Sequence, residues 1–396
     1  MTAAPEVRAA VTKGVQRHRD DLIDLSHRIH ANPEVAWEEE RASAWVSDAM
    51  ADGGFAVTSA AFGLPTAVEA ERGDGPLTVV FCAEYDALPG LGHACGHNVI
   101  AASSVGAALA LGAVADDIGI RVKLLGTPAE EGAGGKLELL ARGAFDSVHL
   151  ALMAHPGPVD VARSEAYAVS HLRVSYEGKA AHAAAFPDLG VNASDAFTVA
   201  QVALALLRQQ LPSEARVHGI MTHGGDAPNA IPDHTEGQWY VRGSTLAQMQ
   251  EVQTRVLKCF EAGALATGCT LTIGSRREPY ADFRNDTPVL AAYVANAEGL
   301  GRRFASTDDP VTRMNRASTD MGNVSQVVPA IHPYIGIESL PAVNHQREFA
   351  AASVSAAADR AVLDAAAALA LTVADVAGDA QQCERLLAGA ARSTHA

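Results

Sequence analysis

The sequence predicts an α/β protein whose functional site lies at one edge of a sheet. The apolar run at 77–83 is typical of a strand buried on both faces, and residues 121–127 and 148–153 are predicted as further strands. The small apolar residues at 99–114 are typical of a helix packed closely against such a sheet. Polar side chains follow each predicted strand, and ligands bind at the carboxyl ends of the strands in open α/β sheets.

The segment before these strands predicts one amphipathic helix over residues 6–30. Apolar residues recur at intervals of three and four from Val7 to Ile29, and Pro33 ends the pattern. These first thirty residues are rich in charge and contain no apolar core of the secretory type.

From about His171 the pattern changes to that of a separate small domain. Its predicted order is βαββαβ, the ferredoxin-like arrangement. The six predicted elements are 172–176, 193–210, 217–223, 237–243, 246–266 and 270–273. The strand-like run 334–337 and His345 lie beyond it, so this domain interrupts another. We therefore expect a first domain in two parts, 1–168 and 281–396, and an inserted domain over 169–280.

Composition limits the classes of function. The 396 residues contain 48% hydrophobic residues and carry a formal net charge of −16, which argues against nucleic acid or an anionic membrane as a partner. A small anionic substrate stays compatible, because a metal pair can reverse the local field. Five scattered cysteines fit a reducing compartment, and no apolar run suits a membrane span, so a cytoplasmic location is expected.

The loop 92–98 contains Cys95-Gly96-His97 and is the strongest metal-binding motif. Two residues spaced two apart point the same way when the backbone is extended. Taken alone, a small buried cysteine and a histidine at a helix cap would be the better interpretation. His93 fits packing better than ligation.

Adjacent carboxylates follow the next predicted strand, at Glu130 and Glu131. Neighbouring side chains diverge, so one can bind metal while the other faces a substrate water. The alternative is an ordinary helix start, where acidic residues complement the helix dipole. The glycines at 132, 134 and 135 disfavour that alternative.

His155 follows the third strand, and His345 lies near the end of the chain. Each histidine alone would more often be a satisfied polar residue. Together with Cys95 and the two glutamates, however, they supply the thiolate, imidazole and carboxylate ligands that a pair of borderline divalent metals prefers. Asp86 lies just past a strand, where it could orient a ligating imidazole.

As a set, these motifs resemble the aminoacylase and glutamate-carboxypeptidase family of two-metal amidohydrolases. The resemblance is to the branch with Cys-Gly-His, which holds auxin-conjugate and aminobenzoyl-glutamate hydrolases. The motifs that carry it are Asp86-Ala87-Leu88-Pro89, Cys95-Gly96-His97, Glu130-Glu131, His155, the loop 178–182, Asn229-Ala230-Ile231-Pro232-Asp233, the run 318–325, Ile331-His332-Pro333 and His345. The resemblance implies a zinc-peptidase-like catalytic domain with a mixed central sheet, interrupted by a lid and dimerisation domain.

The resemblance also implies roles for individual residues. The implied metal ligands are Cys95, His97, Glu131, His155 and His345. It implies Glu130 as the general base, His182 reaching across a dimer to the partner's site, and Asn229 with Arg242 holding the substrate's carboxylate.

Two positions depart from the family's pattern. Glu84 stands where the wider family has the histidine of His-x-Asp, so no ligand is expected from position 84 in the usual way. Asn98 stands where many branch members have aspartate. Metal identity therefore stays open: zinc or manganese is expected first, and cobalt or nickel also fits.

The expected function is hydrolysis of an amide between an acyl, aminobenzoyl or aminoacyl group and a carboxylate-bearing amino acid. Glu130 would take a proton from the attacking water, and His182 would help to stabilise the oxyanion. One alternative is an N-acyl-amino-acid deacylase with the same machinery. A second is an inactive, metal-stabilised scaffold subunit, but an intact general base beside a ligand argues against it.

Overall fold

A computed structural model describes residues 2–275, 277–306 and 308–393. The chain forms two compact units: one comprises Met1–Glu165 with Phe283–Ala396, and the other is Ala166–Asp282. We call them the catalytic unit and the inserted unit.

The elements are numbered in chain order. The helices are α1 Pro5–Arg17, α2 Arg19–Ala31, α3 Glu40–Asp52, α4 His97–Gly112, α5 Glu130–Ala133, α6 Gly135–Ala141, α7 Ala193–Leu207, α8 Leu246–Thr267, α9 Thr287–Gly299, α10 Met321–Val327, α11 Arg347–Ala352, α12 Ala356–Ala377 and α13 Ala380–Ser393. The strands are β1 Ala56–Ser59, β2 Val68–Arg72, β3 Leu77–Glu84, β4 Ile120–Thr127, β5 Leu150–Leu152, β6 His155–Gly157, β7 Ala168–Glu177, β8 Arg216–His223, β9 His234–Gly243, β10 Thr270–Ser275, β11 Ala330–Ile331 and β12 Tyr334–Gly336.

The catalytic unit has a six-stranded mixed sheet in the order β1-β2-β4-β3-β5-β11. Strands β4, β3, β5 and β11 run parallel, while β1 and β2 pair antiparallel at one end. Strand β3 is buried along its whole length, as its continuous apolar sequence predicts. The predicted α/β fold with a mixed central sheet is confirmed. Because β3, β4 and β5 are parallel, their carboxyl ends meet at one edge of the sheet.

Helix α4 explains how small residues build this core. All sixteen of its residues are buried, and it packs against α12, α2 and β3. A Cβ atom at Gly106 would lie 2.7 Å from Leu22 Cδ1, so glycine lets α4 approach α2 closely.

The N-terminal helix prediction was wrong in one respect. The chain forms two helices rather than one, because His18 leaves helical geometry at φ −96° and ψ 10°. The buried residues Val11 and Val15 lie on α1, whereas Leu22 and Leu25 lie on α2. The break lets each short apolar stripe reach the core separately, whereas one straight helix would have to keep a single stripe over 25 residues.

The inserted unit has the predicted βαββαβ order. Its sheet has the order β10-β7-β9-β8 and is antiparallel throughout. Buried residues of its strands and of α7 and α8 form a core of their own, including Phe197, Trp239 and Phe260. Along β9 the buried and partly exposed residues alternate, so the other face of this sheet lacks a helical cover.

Within the described ranges, no single helix has the length and apolar character needed to cross a membrane. Helices α12 and α13 reach that composition only as a pair, and the pair is bent by 93°.

Candidate metal centre

The first part of the centre follows β3 and ends in the first turn of α4. Cys95 is 6% exposed and His97 is fully buried, and Gly96 between them has φ 79°. A Cβ atom at Gly96 would lie 2.5 Å from Pro156 Cγ, so glycine allows this loop to meet the loop of His155. The expected extended backbone is therefore wrong. A left-handed glycine and a helix start bring the two side chains together instead.

Asp86 orients the His97 ring. The Nδ1 atom of His97 donates to Asp86 Oδ1 at 3.0 Å, because a carboxylate only accepts. The other oxygen of Asp86 accepts from the backbone N–H of Glu131 at 2.8 Å. This bond leaves the Nε2 lone pair of His97 pointing towards the neighbouring acidic and sulfur groups, as in metal sites with a carboxylate behind the histidine.

His155 is oriented by the backbone beside it. Its Nδ1 donates to the carbonyl of Pro156 at 2.8 Å, and its Nε2 lies 3.5 Å from Cys95 Sγ. Ligand atoms of one tetrahedral zinc are roughly 3.6 Å apart for a sulfur–nitrogen pair. Burial lowers the pKa of His155 to about 3, so the ring is neutral, which is the form that binds metals.

The adjacent glutamates follow β4 in an irregular turn. Ala129 is left-handed at φ 60°, and its N–H donates to Glu39 Oε1 at 2.8 Å. Glu131 has ψ 71° and Gly132 has φ 99°, so the short α5 is not a regular helix. The alternative of an ordinary acidic helix start does not fit this backbone.

The two carboxylates of this turn have different neighbours. Glu131 Oε1 lies 3.8 Å from His97 Nε2 and 3.6 Å from His345 Nε2. Glu130 groups with His97 and Glu84 instead. Burial, together with the Glu84 and Glu131 carboxylates, raises the pKa of Glu130 well above its usual range. Buried carboxylates with raised pKa values are typical of groups that exchange protons in active sites.

His345 completes the cluster from the far end of the chain. Its φ is 68°, and its backbone N–H donates to the Ala94 carbonyl at 2.8 Å. This bond ties the loop of His345 to the loop of Cys95. The imidazole of His345 is 52% exposed, in contrast to the buried His97 and His155.

The described residues bring together three sets of potential ligand atoms, each set within 4.8 Å. The sets are Cys95 with His97 and His155, Cys95 with Glu131 and His345, and Glu84 with His97 and Glu130. All five ligands expected from the resemblance thus lie in one place, and Cys95 belongs to two sets.

The donors in these sets suit divalent cations. His97 Nε2, Glu131 Oε1 and Glu84 Oε2 are buried and have no hydrogen-bond partner among the described residues. An unsatisfied buried polar atom is unfavourable by several kcal/mol, and a coordinated cation removes that penalty. Burial also raises the pKa of the Cys95 thiol well above its usual range, so a nearby cation is needed to stabilise its thiolate.

Sequence reasoning missed three groups beside this cluster. Glu84, the last residue of β3, was excluded as a ligand, and Lys136 and Asp320 were given no role. The ammonium of fully buried Lys136 donates to Glu84 Oε1 at 2.5 Å and to Asp320 Oδ1 at 2.7 Å. Lys136 follows two glycines, and Asp320 lies in the run 318–325. Neither position has a local sequence pattern that predicts this pairing.

The inserted unit holds His182 and Asn229 side by side. His182 is exposed and forms an isolated antiparallel bridge with Ala230. The carbonyl of Asn229 accepts from the N–H of Ala183 at 3.0 Å. The ring Nδ1 of His182 accepts from the N–H groups of Ala184 and Ala185 at 3.3 and 3.1 Å, so a neutral ring carries its proton on Nε2.

Arg242 lies at the opposite end of the same sheet. Its cross-strand neighbours are Val169 and Arg216, and its Nε lies 3.4 Å from His218 Nε2. From His234, at the end of β9 nearest Asn229, Arg242 is eight residues away (242 − 234), about 26 Å along an extended strand. Asn229 and Arg242 of one chain are therefore not brought together, and their expected hold on the substrate's carboxylate stays a prediction.

The fold and the cluster define a class of protein. The cluster brings together a cysteine sulfur, three imidazoles and a pair of carboxylates, and several of their acceptor atoms are buried. Such an arrangement is suited to metal-dependent hydrolysis.

Comparison with known proteins identifies the family. The chain matches Peptidase family M20/M25/M40 over residues 80–372 and belongs to that family. It is 43% identical over 366 residues to an Xaa-Arg dipeptidase of Mus musculus, and the match covers 89% of this chain and 84% of the relative. It is 30% identical to one of the p-aminobenzoyl-glutamate hydrolase subunits of Escherichia coli, and that match covers 67% of this chain and 60% of the relative. The chain is thus a metallopeptidase-type hydrolase of amide bonds, as the sequence resemblance predicted.

Solved structures agree on the fold. An aminobenzoyl-glutamate utilization protein from Klebsiella pneumoniae superimposes with a TM-score of 0.71 at 20% identity, and the match covers 91% of this chain and 98% of the other. A dinuclear metal-binding peptidase of the M20 family from Bacillus subtilis gives 0.68 at 22% identity and covers 90% and 99%.

Proposed function

We propose that this protein is a two-metal dipeptidase. One ion would be held by Cys95, His97 and His155, and the second by Cys95, Glu131 and His345; Cys95 belongs to both sets. The observation that carries this proposal is the convergence of these five side chains from separate segments of the catalytic unit. Zinc or manganese suits the mixed donor set best, and cobalt or nickel is also compatible.

The charge balance of the cluster supports bound cations. The described residues of the cluster include five buried or nearly buried carboxyl groups but one lysine. These are Glu84, Asp86, Glu130, Glu131 and Asp320, with Lys136 as the lysine. A surplus of buried negative charge is strongly unfavourable unless cations accompany it.

Glu130 is the general base in this proposal. Ions held by these residues would supply polarisation of the scissile carbonyl and would lower the pKa of a bound water molecule. Glu130 accepts the proton of that water and later delivers it to the leaving amine, for which its raised pKa suits it. Glu131 belongs to the set with Cys95 and His345, so the two neighbouring glutamates have separate tasks.

His182 is the oxyanion donor, and it acts on the site of a partner chain in a dimer formed through the inserted unit. Its Nδ1 is already an acceptor of backbone N–H groups, which leaves the exposed Nε2–H free to donate to a developing oxyanion. In this proposal the inserted unit is a lid that closes over the substrate and excludes water.

The substrate's carboxylate is held by groups from both chains. Asn229 is tied to the segment of His182, so it enters the same site as His182. Arg242 lies too far along β9 to join them from the same chain, and it therefore serves the other site of the dimer. A guanidinium binds a carboxylate with two charge-assisted hydrogen bonds, and the amide of Asn229 adds another.

The substrate class is a dipeptide with a free carboxylate and, at its C-terminal position, a basic residue. The 43% identity to an Xaa-Arg dipeptidase supports this choice, and a net charge of −16 favours cationic substrates. Aminobenzoyl-glutamate is the second candidate, on the basis of the 30% identity to a hydrolase subunit of that specificity. N-acyl amino acids come third, because a relative at 28% identity is an N-acetyl-L-cysteine deacetylase from Bacillus subtilis.

A substrate panel tests the proposal. Protein stripped with a chelator and reconstituted with zinc or manganese is assayed on Xaa-Arg, Xaa-Lys and Xaa-Glu dipeptides, aminobenzoyl-glutamate and N-acetyl amino acids. We expect the largest kcat/KM for the basic dipeptides, and no turnover in the stripped sample. A folded protein with two bound ions and no turnover on any member would favour the scaffold alternative. We also propose a cytoplasmic location, since all five cysteines are free thiols.

A further inference from the structure

The guanidinium of Arg242 contacts a histidine and a tyrosine on the face of the inserted sheet opposite its helices. Its Nε donates to Nε2 of His218 at 3.4 Å, and its Cζ lies 5.9 Å from the centre of the Tyr240 ring. The rings of His218 and Tyr240 lie 5.6 Å apart at 65°. His218 pairs with Tyr240 across β8 and β9, and Arg242 is the next residue of β9 on that face. The strand register therefore sets these contacts.

The contact with Arg242 defines the protonation state of His218. An arginine side chain has no acceptor atom, so Nε2 of His218 presents a lone pair to it, and the ring proton lies on Nδ1. Burial and the positive charges of Arg242 and Arg208 lower the pKa of His218 below its usual value. Arg208 is held nearby, where its Nη2 donates to the Val217 carbonyl at 3.0 Å. His218 is therefore a neutral acceptor at neutral pH.

We propose that His218 is a positioning residue for the substrate's carboxylate: it fixes the guanidinium of Arg242 without neutralising its charge. This inference rests on the proposed function, in which Arg242 binds that carboxylate. With Nε directed to His218, the two terminal nitrogens of Arg242 are the pair that meets a carboxylate with parallel hydrogen bonds. Fixing the plane of the guanidinium before the substrate arrives reduces the ordering cost of binding.

A second arginine on the same sheet face shows what a carboxylate partner does instead. Arg173 forms an ion pair with the carboxylate of Glu236. That carboxylate balances the charge of the guanidinium and takes donors that an anionic ligand needs, so Arg173 is poorly suited to bind a substrate's carboxylate. His218 offers Arg242 an acceptor of zero net charge. The choice of histidine therefore keeps Arg242 both oriented and cationic.

Arg216 is directly opposite Arg242 but is held by its own strand. Its Nη1 donates to the carbonyls of Ser213 and Ala215. The charge of Arg216 adds to the positive field at this end of the sheet face, which favours an anionic group there. Its orientation is set by backbone carbonyls, whereas that of Arg242 is set by the His218 side chain.

The test compares three substitutions of His218 in the full, metal-loaded protein. The substrates are the best dipeptide of the panel above and its C-terminal amide, and KM and kcat are measured separately. His218→Gln keeps a neutral acceptor and should preserve KM for the free acid. His218→Leu should raise that KM by ~2–10-fold, the range for one lost hydrogen bond. His218→Glu should raise it by ~10–100-fold, because its carboxylate pairs with Arg242 and competes with the substrate.

The pattern across substrates separates positioning from a general structural role. All three variants should keep kcat for the acid and KM for the amide, since neither depends on the carboxylate contact. Their thermal unfolding and metal content should match those of the unmutated chain, because His218 is exposed on the edge strand β8. Arg173→Ala is the control on the same face and should leave both KM values unchanged. If His218→Leu does not fold, the comparison of His218→Gln with His218→Glu decides, since these two differ in charge at equal size.

Two kinds of failure are distinguishable. The role of His218 is overturned if His218→Gln and His218→Glu have equal KM for the acid, or if His218→Leu leaves it unchanged, while Arg242→Ala still abolishes the preference for the acid. In that case the anchor at Arg242 stands. Equal rates for acid and amide in the unmutated protein would instead refute Arg242 as the anchor, and no turnover on the whole panel would refute the proposed function. The inference about His218 fails with either.

Discussion

The catalytic unit and the inserted unit present their candidate functional groups in opposite ways. In the catalytic unit, Cys95, His97 and His155 are buried, and the non-ligating nitrogen of each imidazole is fixed by a hydrogen bond. In the inserted unit, His182 is exposed, and Asn229 and Arg242 lie at opposite ends of one sheet. One unit thus gathers the candidate ligands in one place, while the other keeps Asn229 and Arg242 apart within one copy.

The difference indicates a division of labour. Metal binding needs ligand atoms fixed to within fractions of an ångström, which a buried sheet edge provides. Substrate recognition and closure need groups that meet the substrate only when it is present, which an exposed surface allows. We therefore expect substitutions in the catalytic unit to change metal content or chemistry, and substitutions in the inserted unit to change turnover at constant metal content.

The largest expected effect is that of Glu130→Gln. This variant keeps the size of the side chain but cannot accept the proton, so kcat should fall by ~10²–10⁴. Metal analysis should still find two ions per chain. Glu131→Gln is the matched neighbour and should lose metal as well as activity. Near-full activity of Glu130→Gln would remove the base from the proposed mechanism.

His182→Ala should follow, with kcat lower by ~10²–10³ because an oxyanion donor is lost. Its metal content and its thermal unfolding should match those of the unmutated chain. Mixing this variant with Glu130→Gln chains should restore activity, since each mixed dimer contains one site with both residues intact. No recovery after subunit exchange, or full activity of a stable monomer, would exclude action across a dimer.

Cys95→Ser should weaken both ions, because the sulfur belongs to two ligand sets. The loss should exceed the ~10–100-fold typical of changes behind a ligand. The fold should persist without metal, since the core of the catalytic unit is large. Calorimetry in buffers of different ionisation enthalpy should show that the unmutated chain releases a proton on binding and that the variant releases less. Unaltered affinity for both ions would show that Cys95 is not a ligand.

The carboxylate anchor predicts a smaller effect. A dipeptide amide should be a poorer substrate than the free acid by ~10–100-fold in kcat/KM, the range for charge-assisted hydrogen bonds. In Arg242→Ala the two substrates should become nearly equal, and metal content should not change. Arg173→Ala, on the same sheet but in an exposed pair with Glu236, is a suitable control. Equal rates for acid and amide in the unmutated protein would rule the anchor out.

Asp86→Asn should have the smallest effect, a loss of ~10–100-fold in metal affinity. The amide oxygen can still accept from either His97 Nδ1 or the Glu131 N–H. The amide nitrogen that replaces the second carboxylate oxygen cannot accept from the other donor. Because Asp86 touches both sets of ligands, both ions should weaken together. Weakening of one ion only would separate the two roles of Asp86.

Much of the fold followed from sequence patterns. The continuous apolar run of β3 predicts a strand buried on both faces, and the small apolar residues of α4 predict a helix packed closely against a sheet. Both elements are fully buried in the structure. The βαββαβ order of the inserted unit followed from alternation in its strands and from its helix lengths. The break at His18 was missed because both halves keep the same spacing of apolar residues, and the change of direction depends on packing against α4 and α12.

The candidate site was predictable in its members but not in its geometry. Cys95, His97, Glu131, His155 and His345 carry local motifs, so their residue types alone indicated a metal pair, and the structure gathers them. The resemblance of these motifs to two-metal amidohydrolases also predicted the class of reaction, which the family match confirms. The roles of Glu130 as base and Glu131 as ligand stay predictions. The contacts of Glu84 with Lys136 and His97 could not be predicted, since a glutamate at a strand end has no distinguishing neighbours in the chain.

Only the tertiary structure decided which groups share an environment. The pairing of Lys136 with Glu84 and Asp320 joins residues 52 and 184 positions apart, and it leaves one oxygen of Glu84 facing His97. The separation of Asn229 from Arg242 likewise follows from strand register rather than from their spacing of thirteen residues (242 − 229). Local sequence specifies which ligand types and elements are present. Distances and charge balance arise from long-range packing and strand pairing, which no short segment encodes.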